Sequence, residues 1–513
     1  MLLVLAGTTV ITWCFVSTFK AWYRLSHVPG PFLASFSSLW IVKQLLRAHI
    51  APALLEIQDY GRLVRVGPNY LLTDDPETLR QISAARSQYN RDEWWVSLRL
   101  SPEADNLATI LEAGPHDKVK AQMAAGYAGR DQMDMEKKVE AKIVHLKNVL
   151  RQRYLSEGDN LNPVDLARVA YYFTLDVITD LSYGEAFGFL DAEGDLYNYT
   201  NSLDQLLLVT GLFSEIPFLR YFSNTVVGAA FKPKFSDKSG MGRLMRISRD
   251  IIEKRFESGE QNHGDMLSSF MRHGVEKKSA IAEAPLQLVA GAETSSTIIR
   301  STMGYLMTSP RVYQKLKEQI QDAIRAGVAS SPITVEEAKK LPYLQAVIVE
   351  GIRMRPPAPY GHYKSVPPGG DTINGLFIPE GTAVGHNSFS MMRRRDIFGA
   401  DVEVFRPERW LECNDAQRLQ MDRTIDIHFG GGRWMCAGKV VAYTELHKIY
   451  FEFMRLLSKE FEKAILMVRA SWAGQGCGQV RLFLLSATDS KAFGLAIGLI
   501  LPERNNTTSS GGS

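Results

Sequence analysis

The chain has 513 residues, of which 45% are hydrophobic and 22% charged, so it suits a globular protein with a large buried core. A formal net charge of +3, without an arginine-rich arm, argues against nucleic acid as a partner. Four cysteines, none in a CxxC pair, are too few for a disulfide framework. The composition therefore excludes nucleic-acid-binding proteins and small disulfide-rich proteins.

Residues 1–20 carry no charge before Lys20 and approach the length of about 20 apolar residues that crosses a bilayer. Lys20 and Arg24 lie at the C-terminal end of this stretch, which predicts that the rest of the chain is cytosolic. A cleavable signal peptide is the alternative, but it would need a positively charged start. We expect a transmembrane anchor at 1–20, followed at 21–35 by a hinge that the prolines of VPGPF stiffen.

Helical periodicity dominates between about residues 40 and 360. Apolar residues recur every three or four positions in IVKQLLRAHIAPALLEIQDYG, MEKKVEAKIVHLKNVLRQRYL, VDLARVAYYFTLDVITDLSYG and SPRVYQKLKEQIQDAIRAG. RLVRVGPNYLLTDD predicts a hairpin with its turn at Gly67–Asn69. Proline, glycine and β-branched residues after 360 predict small strands, and helix returns at KVVAYTELHKIYFEFMRLL. Without an internal repeat or long linker, residues 36–465 are expected to form one mostly helical domain with a minor sheet.

The stretch LVAGAETSSTIIRSTMGYL is a long apolar helix interrupted by small residues. Gly291 costs about 1 kcal/mol of helix stability relative to alanine, which makes sense where a group must approach the helix closely. Glu293 and Thr294 lie beside this gap and could relay protons. A helix-packing notch with a solvated Glu293 is the plainer interpretation, and the stretch alone favours it.

Two further motifs carry charge or a thiol. In AVIVEGIRMRPP, Glu350 and Arg353 share one face of an apolar helix, and FRPERW offers Arg409 as a third member. Buried charges of this kind are costly unless paired, and a surface ion pair explains the motif more simply. In HFGGGRWMCAGK, the glycines let the backbone approach a flat group, and Cys436 precedes a predicted helix whose N-terminus favours a thiolate.

A thiolate held in this way suits a haem iron ligand, although a small buried cysteine after a turn is about as good an interpretation of the loop alone. A zinc site formed by Cys413, His428 and Cys436 fits no compact ligand spacing. A phosphate-binding loop is disfavoured because the Walker lysine pattern is absent.

The order AGAET, ExxR, PERW and FxxGxxxCxG resembles the cytochrome P-450 haem-thiolate monooxygenases, and the resemblance runs from the anchor and the VPGPF hinge to about residue 460. DMLSSFMRHG, VPPGGDTINGLFIPEGT and CAGKVVAYTELHKIY are similar to the filamentous-fungal group that includes pisatin demethylase and benzoate hydroxylase-like enzymes. The resemblance implies a mainly α protein: a large helical cytochrome P-450 fold with a small β-rich subdomain, preceded by the membrane anchor helix. The tail at 466–513 does not align with the family's terminal strand pair, so it is either a divergent terminus or a gene-model artefact.

The resemblance also implies roles for individual residues. Cys436 would be the axial ligand of the iron of haem b, in a loop shaped by Phe429, Gly432 and Gly438. Thr294 and Glu293 would be the catalytic residues that deliver protons. The other implied positions are a structural triad of Glu350, Arg353 and Arg409, and an oxygen groove at Ala290 and Gly291.

One departure from the family pattern concerns the haem propionates. The family usually has a basic residue two positions before the cysteine, where this chain has Trp434. Arg433, one position earlier, is assigned to a propionate or to the redox partner. His116 and Lys120 resemble the second propionate-binding element.

The function implied is insertion of one oxygen atom from O2 into a hydrophobic small molecule, in fungal secondary metabolism. Electrons would come from NADPH through NADPH-cytochrome P-450 reductase, with cytochrome b5 as a further candidate partner, at the endoplasmic reticulum membrane. The alternatives are a haem-thiolate isomerase that needs no reductase, which Glu293 and Thr294 disfavour, and an inactive membrane-anchored scaffold with a compromised C-terminus. Residues 98–113, those before Ala290 and PPAPYGHY would line the substrate pocket, with Tyr360 and His362 as polar contacts.

Overall fold

The computed structural model describes residues 2–131, 134–154, 163–192, 194–222, 225, 228–460, 466–471 and 479–484. The α-helices are α1 Leu2–Arg24, α2 Leu39–Leu46, α3 Ile50–Glu56, α4 Pro76–Ser83, α5 Ala113–Tyr127, α6 Met135–Arg153, α7 Leu166–Tyr183, α8 Tyr199–Glu215, α9 Pro217–Phe222, α10 Gly240–Ser258, α11 Met266–Arg272, α12 Lys277–Thr308, α13 Pro310–Arg325, α14 Val335–Lys339, α15 Pro342–Met354, α16 Ser388–Met391, α17 Arg395–Phe398, α18 Arg409–Glu412, α19 Asp415–His428 and α20 Lys439–Glu460. The strands are β1 Leu63–Gly67, β2 Tyr70–Thr73, β3 Asn90–Arg91, β4 Pro163–Asp165, β5 Tyr360–Ser365, β6 Asp371–Ile373, β7 Leu376–Ile378, β8 Ala383–Asn387, β9 Leu466–Ser471 and β10 Gln479–Leu484.

The strands form three small sheets beside the helices, in the orders β1-β2-β8-β5-β3, β4-β10-β9 and β6-β7. The predicted hairpin is confirmed, because β1 and β2 pair antiparallel around the turn at Gly67–Asn69. The small strands predicted after residue 360 are confirmed as β5 to β8, and the helix predicted near the C-terminus is α20. The mainly helical architecture is therefore as the sequence predicts.

The helical core is built around α12, along which α7 packs. All side chains of α7 except those of Arg168 and Asp180 are buried. A helix that is apolar nearly all round has to lie inside a protein rather than on its surface. This packing places the middle of α12 deep in the domain.

The helical periodicity of IVKQLLRAHIAPALLEIQDYG is divided between two α-helices, α2 and α3. The chain turns between α2 and α3, where Ala48 has a φ of 52°. A continuous helix would place the ring of Pro52 against the carbonyl group of Ala48, four residues earlier. In the first turn of α3 the same proline is tolerated because its missing N–H would have no partner there.

The N-terminal segment forms α1, which extends to Arg24 and so into the predicted hinge. Among the described residues, no helix is both long and apolar enough to cross a membrane, so the predicted anchor at 1–20 is not confirmed. The buried Arg65 of β1 donates to the carbonyl oxygens of Ala21 and Trp22, at N to O distances of 2.8 and 3.1 Å. These bonds satisfy carbonyl groups that the last turn of a helix leaves free.

The predicted domain boundaries at 36 and 465 stay predictions. Beyond them, β9 and β10 pair antiparallel, and β10 also pairs with β4. A strand pair therefore occupies the C-terminal position at which the sequence could not be aligned. The other residues of the predicted tail, 472–478 and 485–513, lie outside the described part of the chain.

Candidate active site

A cavity of about 320 Å³ is bounded by α12, β5, β8 and the loop that precedes α20. Its apolar lining residues include Leu107, Ala108, Ile178, Leu286, Ile298, Pro357 and Ala358. This size and lining suit a small apolar ligand held by a few polar groups. Each of the three segments predicted to line the pocket contributes to this wall.

Cys436 lies on the cavity wall directly before α20, and its exposed surface faces the cavity. Its backbone N–H donates to the carbonyl oxygen of Phe429, with an N to O distance of 2.7 Å. Burial raises the pKa of the Cys436 thiol, against the amides of Gly438 and Lys439, which lower it. The predicted helix effect is thus outweighed in the protein alone. A bound metal cation would reverse the balance, because it deprotonates a coordinating thiol.

The glycines of this loop serve two purposes. Gly430 and Gly432 have φ values of 82° and 52°, which favour glycine. A side chain at either position would also collide with backbone, that of Trp434 or of Ser83. At Gly438, by contrast, a Cβ would meet nothing within 4 Å. Gly438 lines the cavity, as does Phe429, and leaves one face of the loop open to a flat group.

The middle of α12 forms another part of the wall, where Ala290, Gly291 and Thr294 line the cavity. The Thr294 hydroxyl donates to the Ala290 carbonyl oxygen, with an O to O distance of 2.8 Å. A Cβ at Gly291 would lie 2.6 Å from Ile178 of α7. Gly291 is therefore required for close helix packing as well as lining the cavity, so the packing-notch interpretation also holds.

Glu293 points elsewhere and is not among the residues that line the cavity. Its carboxylate accepts from Thr297 and Arg300, at 3.2 and 3.0 Å. Burial raises the pKa of Glu293, against the lowering effect of Arg300. Glu293 is thus ion-paired and 22% exposed, which is less solvated than the simplest interpretation had it, and it is not in direct reach of the cavity space beside Thr294.

The three residues predicted for the haem propionates occupy different positions. His116 lines the cavity with its ring 4.5 Å from that of Trp434, and burial lowers its pKa to about 4. Lys120 donates to the carbonyl oxygens of Arg433 and Met435, at 2.6 and 2.7 Å, and so ties α5 to the cysteine loop. The side chain of Arg433 turns outward to the carbonyl of Ala85 and lies 3.7 Å from Asp117. Arg433 does not line the cavity, because these groups already use its guanidinium.

Two cations that the motifs did not predict do line the cavity. The guanidinium of Arg91 lies between the rings of Trp95 and Trp434, 4.6 and 4.8 Å from their centroids. Lys364 of β5 donates to the hydroxyl of Ser83 at 2.9 Å, and burial lowers its pKa to about 7. Neither forms an ion pair with a carboxylate of the described chain. Arg91 thus supplies a positive charge beside Trp434, where the family usually has its own basic residue.

The predicted triad is buried rather than exposed, so the surface ion-pair interpretation is wrong. Arg353 donates to both oxygens of Glu350, at 2.8 and 2.9 Å, and Arg409 donates to one of them at 3.0 Å. Trp410 and the backbone N–H of Arg406 complete the carboxylate's partners. Burial alone would raise the pKa of Glu350, yet the two arginines and these hydrogen bonds lower it.

The remaining arginine donors are used by backbone carbonyl groups. Arg353 donates to Met392 and Val402, and Arg409 donates to Asp401 and Val404. The network thus fixes the segment between β8 and α18, on which α19 and the cysteine loop follow in the chain.

Behind α12, helix α20 buries an acid that the sequence motifs did not single out. Glu445 is fully buried, and Ser295 of α12, which lines the cavity, is its polar neighbour. Neither carboxylate oxygen has a hydrogen-bond partner within the described chain. Burial raises the pKa of Glu445 to about 8, so the side chain keeps its proton at neutral pH.

Glu445→Gln should flatten the pH dependence of stability. Between the unfolded pKa of 4.5 and the folded pKa of about 8, the unfolded chain releases a proton that the folded chain keeps. Stability therefore falls as the pH rises through this range, by up to about 1.4 kcal/mol per pH unit. Urea unfolding of the variant at pH 5 to 8 should lack this contribution, whereas Glu318→Gln on exposed α13 should keep it. An unchanged slope in Glu445→Gln would contradict the assignment.

The chain belongs to the cytochrome P-450 family. The family model described as Cytochrome P-450 matches residues 74–465, which include both walls of the cavity and the cysteine loop. The resemblance inferred from the motifs is therefore confirmed, and the chain is an enzyme, a monooxygenase of this family.

The relatives it is similar to are fungal. Cytochrome P-450 monooxygenase ABA1 of Pyricularia oryzae is 42% identical over 442 residues, which cover 84% of this chain and 86% of that protein. Cytochrome P-450 monooxygenase aba1 of Botryotinia fuckeliana is 43% identical over 442 residues, with the same coverage of both chains. Cytochrome P-450 monooxygenase abl1 of Leptosphaeria maculans is 38% identical over 451 residues, which cover 87% of this chain and 79% of that protein.

Haem, the cofactor that the family implies, fits the residues present. A thiol and an open glycine face lie on one wall, and buried nitrogen atoms of His386 and Trp434 have no partner in the described chain. Arg91, and Lys364 when protonated, provide positive charge without an ion-paired carboxylate in the described chain, as two propionate groups would need. No cluster of three or more metal-binding side chains exists among the described residues, so the zinc interpretation has no support.

Proposed function

We propose that the chain is a reductase-dependent monooxygenase that oxidises a hydrophobic small molecule of fungal secondary metabolism. In the balanced reaction, one atom of O2 enters a C–H bond of the substrate and the other leaves as water. NADPH supplies the two electrons through NADPH-cytochrome P-450 reductase, or in part through cytochrome b5. The observation that carries the proposal is the placement of Cys436 and Thr294 on the lining of one largely apolar cavity.

Haem, when bound, would supply oxygen activation, and a thiolate ligand would assist that chemistry by donating electron density. Cys436 is the residue that would hold its iron, and Arg91, Lys364 and His116 would hold its propionates. The apolar walls would orient the substrate and exclude water, which limits side reactions. The Thr294 hydroxyl would hold a proton donor at the cavity wall, and this role disfavours a reductase-independent isomerase.

The carbon-monoxide difference spectrum of reduced microsomes that express the full chain tests the proposal. A strongly red-shifted Soret band would support a thiolate ligand, and NADPH-dependent product formation only with reductase present would support the oxygenase. A band at the ordinary haem position would contradict the thiolate ligand. Failure to bind haem would instead support the inactive scaffold.

Thr294→Ala should keep haem but lose coupling between electron use and product. Without the hydroxyl, proton delivery at the cavity wall is less well directed, so a several-fold larger share of NADPH should yield peroxide. Thr308→Ala is a matched control, because Thr308 is an exposed residue of α12 whose hydroxyl makes the same bond to the carbonyl four residues earlier. Unchanged coupling in Thr294→Ala would contradict its role.

We further propose that α1 attaches the chain to the endoplasmic reticulum membrane, with the remainder in the cytosol. Phe15, Phe19 and Tyr23 expose apolar surface on this helix, and Lys20 and Arg24 lie at its C-terminal end. Carbonate extraction of microsomes, combined with protease protection, tests this directly. Release of the intact chain by carbonate would contradict it.

A further inference from the structure

A buried acid joins three elements behind the cavity wall. Glu215, at the C-terminus of α8, is 2% exposed. Its Oε1 accepts from Trp94 Nε1 at 2.9 Å and from the Tyr360 hydroxyl at 3.0 Å. Trp94 belongs to the 3-10 helix Glu93–Leu98 and Tyr360 begins β5. We call Glu215, Trp94 and Tyr360 the Glu215 junction.

The partners of Glu215 are sequence neighbours of residues that form the cavity wall. Trp95, next to Trp94, lines the cavity, and so do Ala358 and His362 on either side of Tyr360. The rings of Trp95 and His362 stack with centroids 4.8 Å apart. His362 has a φ of 51°, a conformation that a non-glycine residue keeps only when its surroundings hold it there. The wall is therefore held from behind.

A second buried contact fixes the same corner. Arg220 of α9 donates to the Tyr70 hydroxyl at 2.7 Å and to the Ser214 carbonyl at 2.6 Å. Asp92 lies 3.9 Å from the same guanidinium. These groups hold the end of α8 in place, and Asp92, whose carboxylate accepts from the Trp94 N–H at 2.9 Å, ties the same corner to the 3-10 helix. Through its hydrogen bonds to Trp94 and Tyr360, Glu215 can then hold the adjacent wall residues in place.

We propose that Glu215 is a positioning residue that fixes the cavity wall formed by Trp95, Ala358 and His362, and so sets which ligands the cavity binds tightly. Tyr360 is accordingly not the polar substrate contact expected from the sequence, because its hydroxyl is used by Glu215. Burial raises the pKa of Glu215 to about 7, against the lowering effect of the hydrogen bonds from Trp94 and Tyr360. The inference rests on the proposed haem-bearing cavity.

Ligand binding to the haem-loaded enzyme tests the proposal with two probes of different size. Imidazole should reach the iron without touching the wall, whereas 1-phenylimidazole has to pack against it, and both are followed by the Soret shift. Glu215→Ala should weaken 1-phenylimidazole by about tenfold and leave imidazole unchanged, since two hydrogen bonds to the wall are lost. The quantity compared between variants is the ratio of the Kd of 1-phenylimidazole to the Kd of imidazole. Glu215→Gln should keep the wild-type ratio, because one amide oxygen can accept both hydrogen bonds.

Tyr360→Phe removes one donor without opening a cavity, and should change the ratio about threefold. This variant decides the matter if Glu215→Ala fails to incorporate haem. An unchanged ratio in Tyr360→Phe or Glu215→Ala would overturn the proposal, and so would a Glu215→Gln variant that behaves like Glu215→Ala. The ratio needs only bound haem, so it stays measurable even if reductase-dependent oxygenation, and with it the proposed function, fails.

Discussion

Cys436→Ser should abolish the red-shifted carbon-monoxide band and lower product formation by at least about 100-fold. A serine hydroxyl is a poorer metal ligand than a thiolate and donates less electron density. Even outer partners of metal ligands change affinity or activity by about 10- to 100-fold, so loss of the ligand itself should cost no less. The Soret maximum, haem content and product yield of the microsomal enzyme are the measurements.

Cys413→Ser provides the matched control for this variant. Cys413 is half-buried, packs against the core and does not line the cavity. The same chemical change there should leave the carbon-monoxide band in place. Full activity in Cys436→Ser would remove the basis of the axial ligand assignment.

Glu350→Gln should destabilise the enzyme by about 3 to 5 kcal/mol, which is a large part of the total stability of a typical domain. Glutamine has nearly the same shape but leaves Arg353 and Arg409 buried without a countercharge. The change lies outside the cavity, so lost haem should follow unfolding rather than precede it. Urea unfolding followed by tryptophan fluorescence and by the Soret band would measure both events.

The pH dependence of the wild type provides a second check on this network. The folded pKa of Glu350 is lowered, so its contribution is present above the unfolded pKa of 4.5 and is lost as the pH falls below it. Glu350→Gln should lack that acid-dependent loss. Glu336→Gln, in an exposed pair with Lys340, should change neither stability nor its pH dependence. Equal effects of the two variants would contradict the role of the buried network.

Local motifs predicted much of the site because its key residues lie close together in sequence. The spacing of Glu350 and Arg353 predicts a shared helix face, and the glycines around Cys436 predict a backbone that approaches a flat group. FRPERW offered Arg409 as a third member, but its contact with Glu350 could not be derived from spacing, because a contact across 59 positions leaves no periodic trace. The side-chain direction of Glu293 could not be predicted from the motif either, because it is set by the ion pair with Arg300.

The contacts that the sequence did not indicate are long-range. Arg91 reaches Trp434 from a two-residue strand, and nothing in the spacing of either residue announces the pair. Glu215 resembles any acid at the end of an apolar helix, yet its partners lie 121 and 145 positions away. Such contacts depend on how the helices and sheets pack against one another, and local sequence periodicity does not predict that packing.

Arg65 of β1 fixes the orientation of α1 relative to the sheet. Its guanidinium holds the last carbonyl groups of the helix, and a Cβ at Gly30 would collide with the Arg65 backbone, so helix, hinge and β1 form one rigid corner. Arg24, at the end of α1, also donates to Asn69 and Thr382, at 2.6 and 2.7 Å. The orientation of the N-terminal helix relative to the sheet therefore depends on a strand side chain as well as on the helix itself.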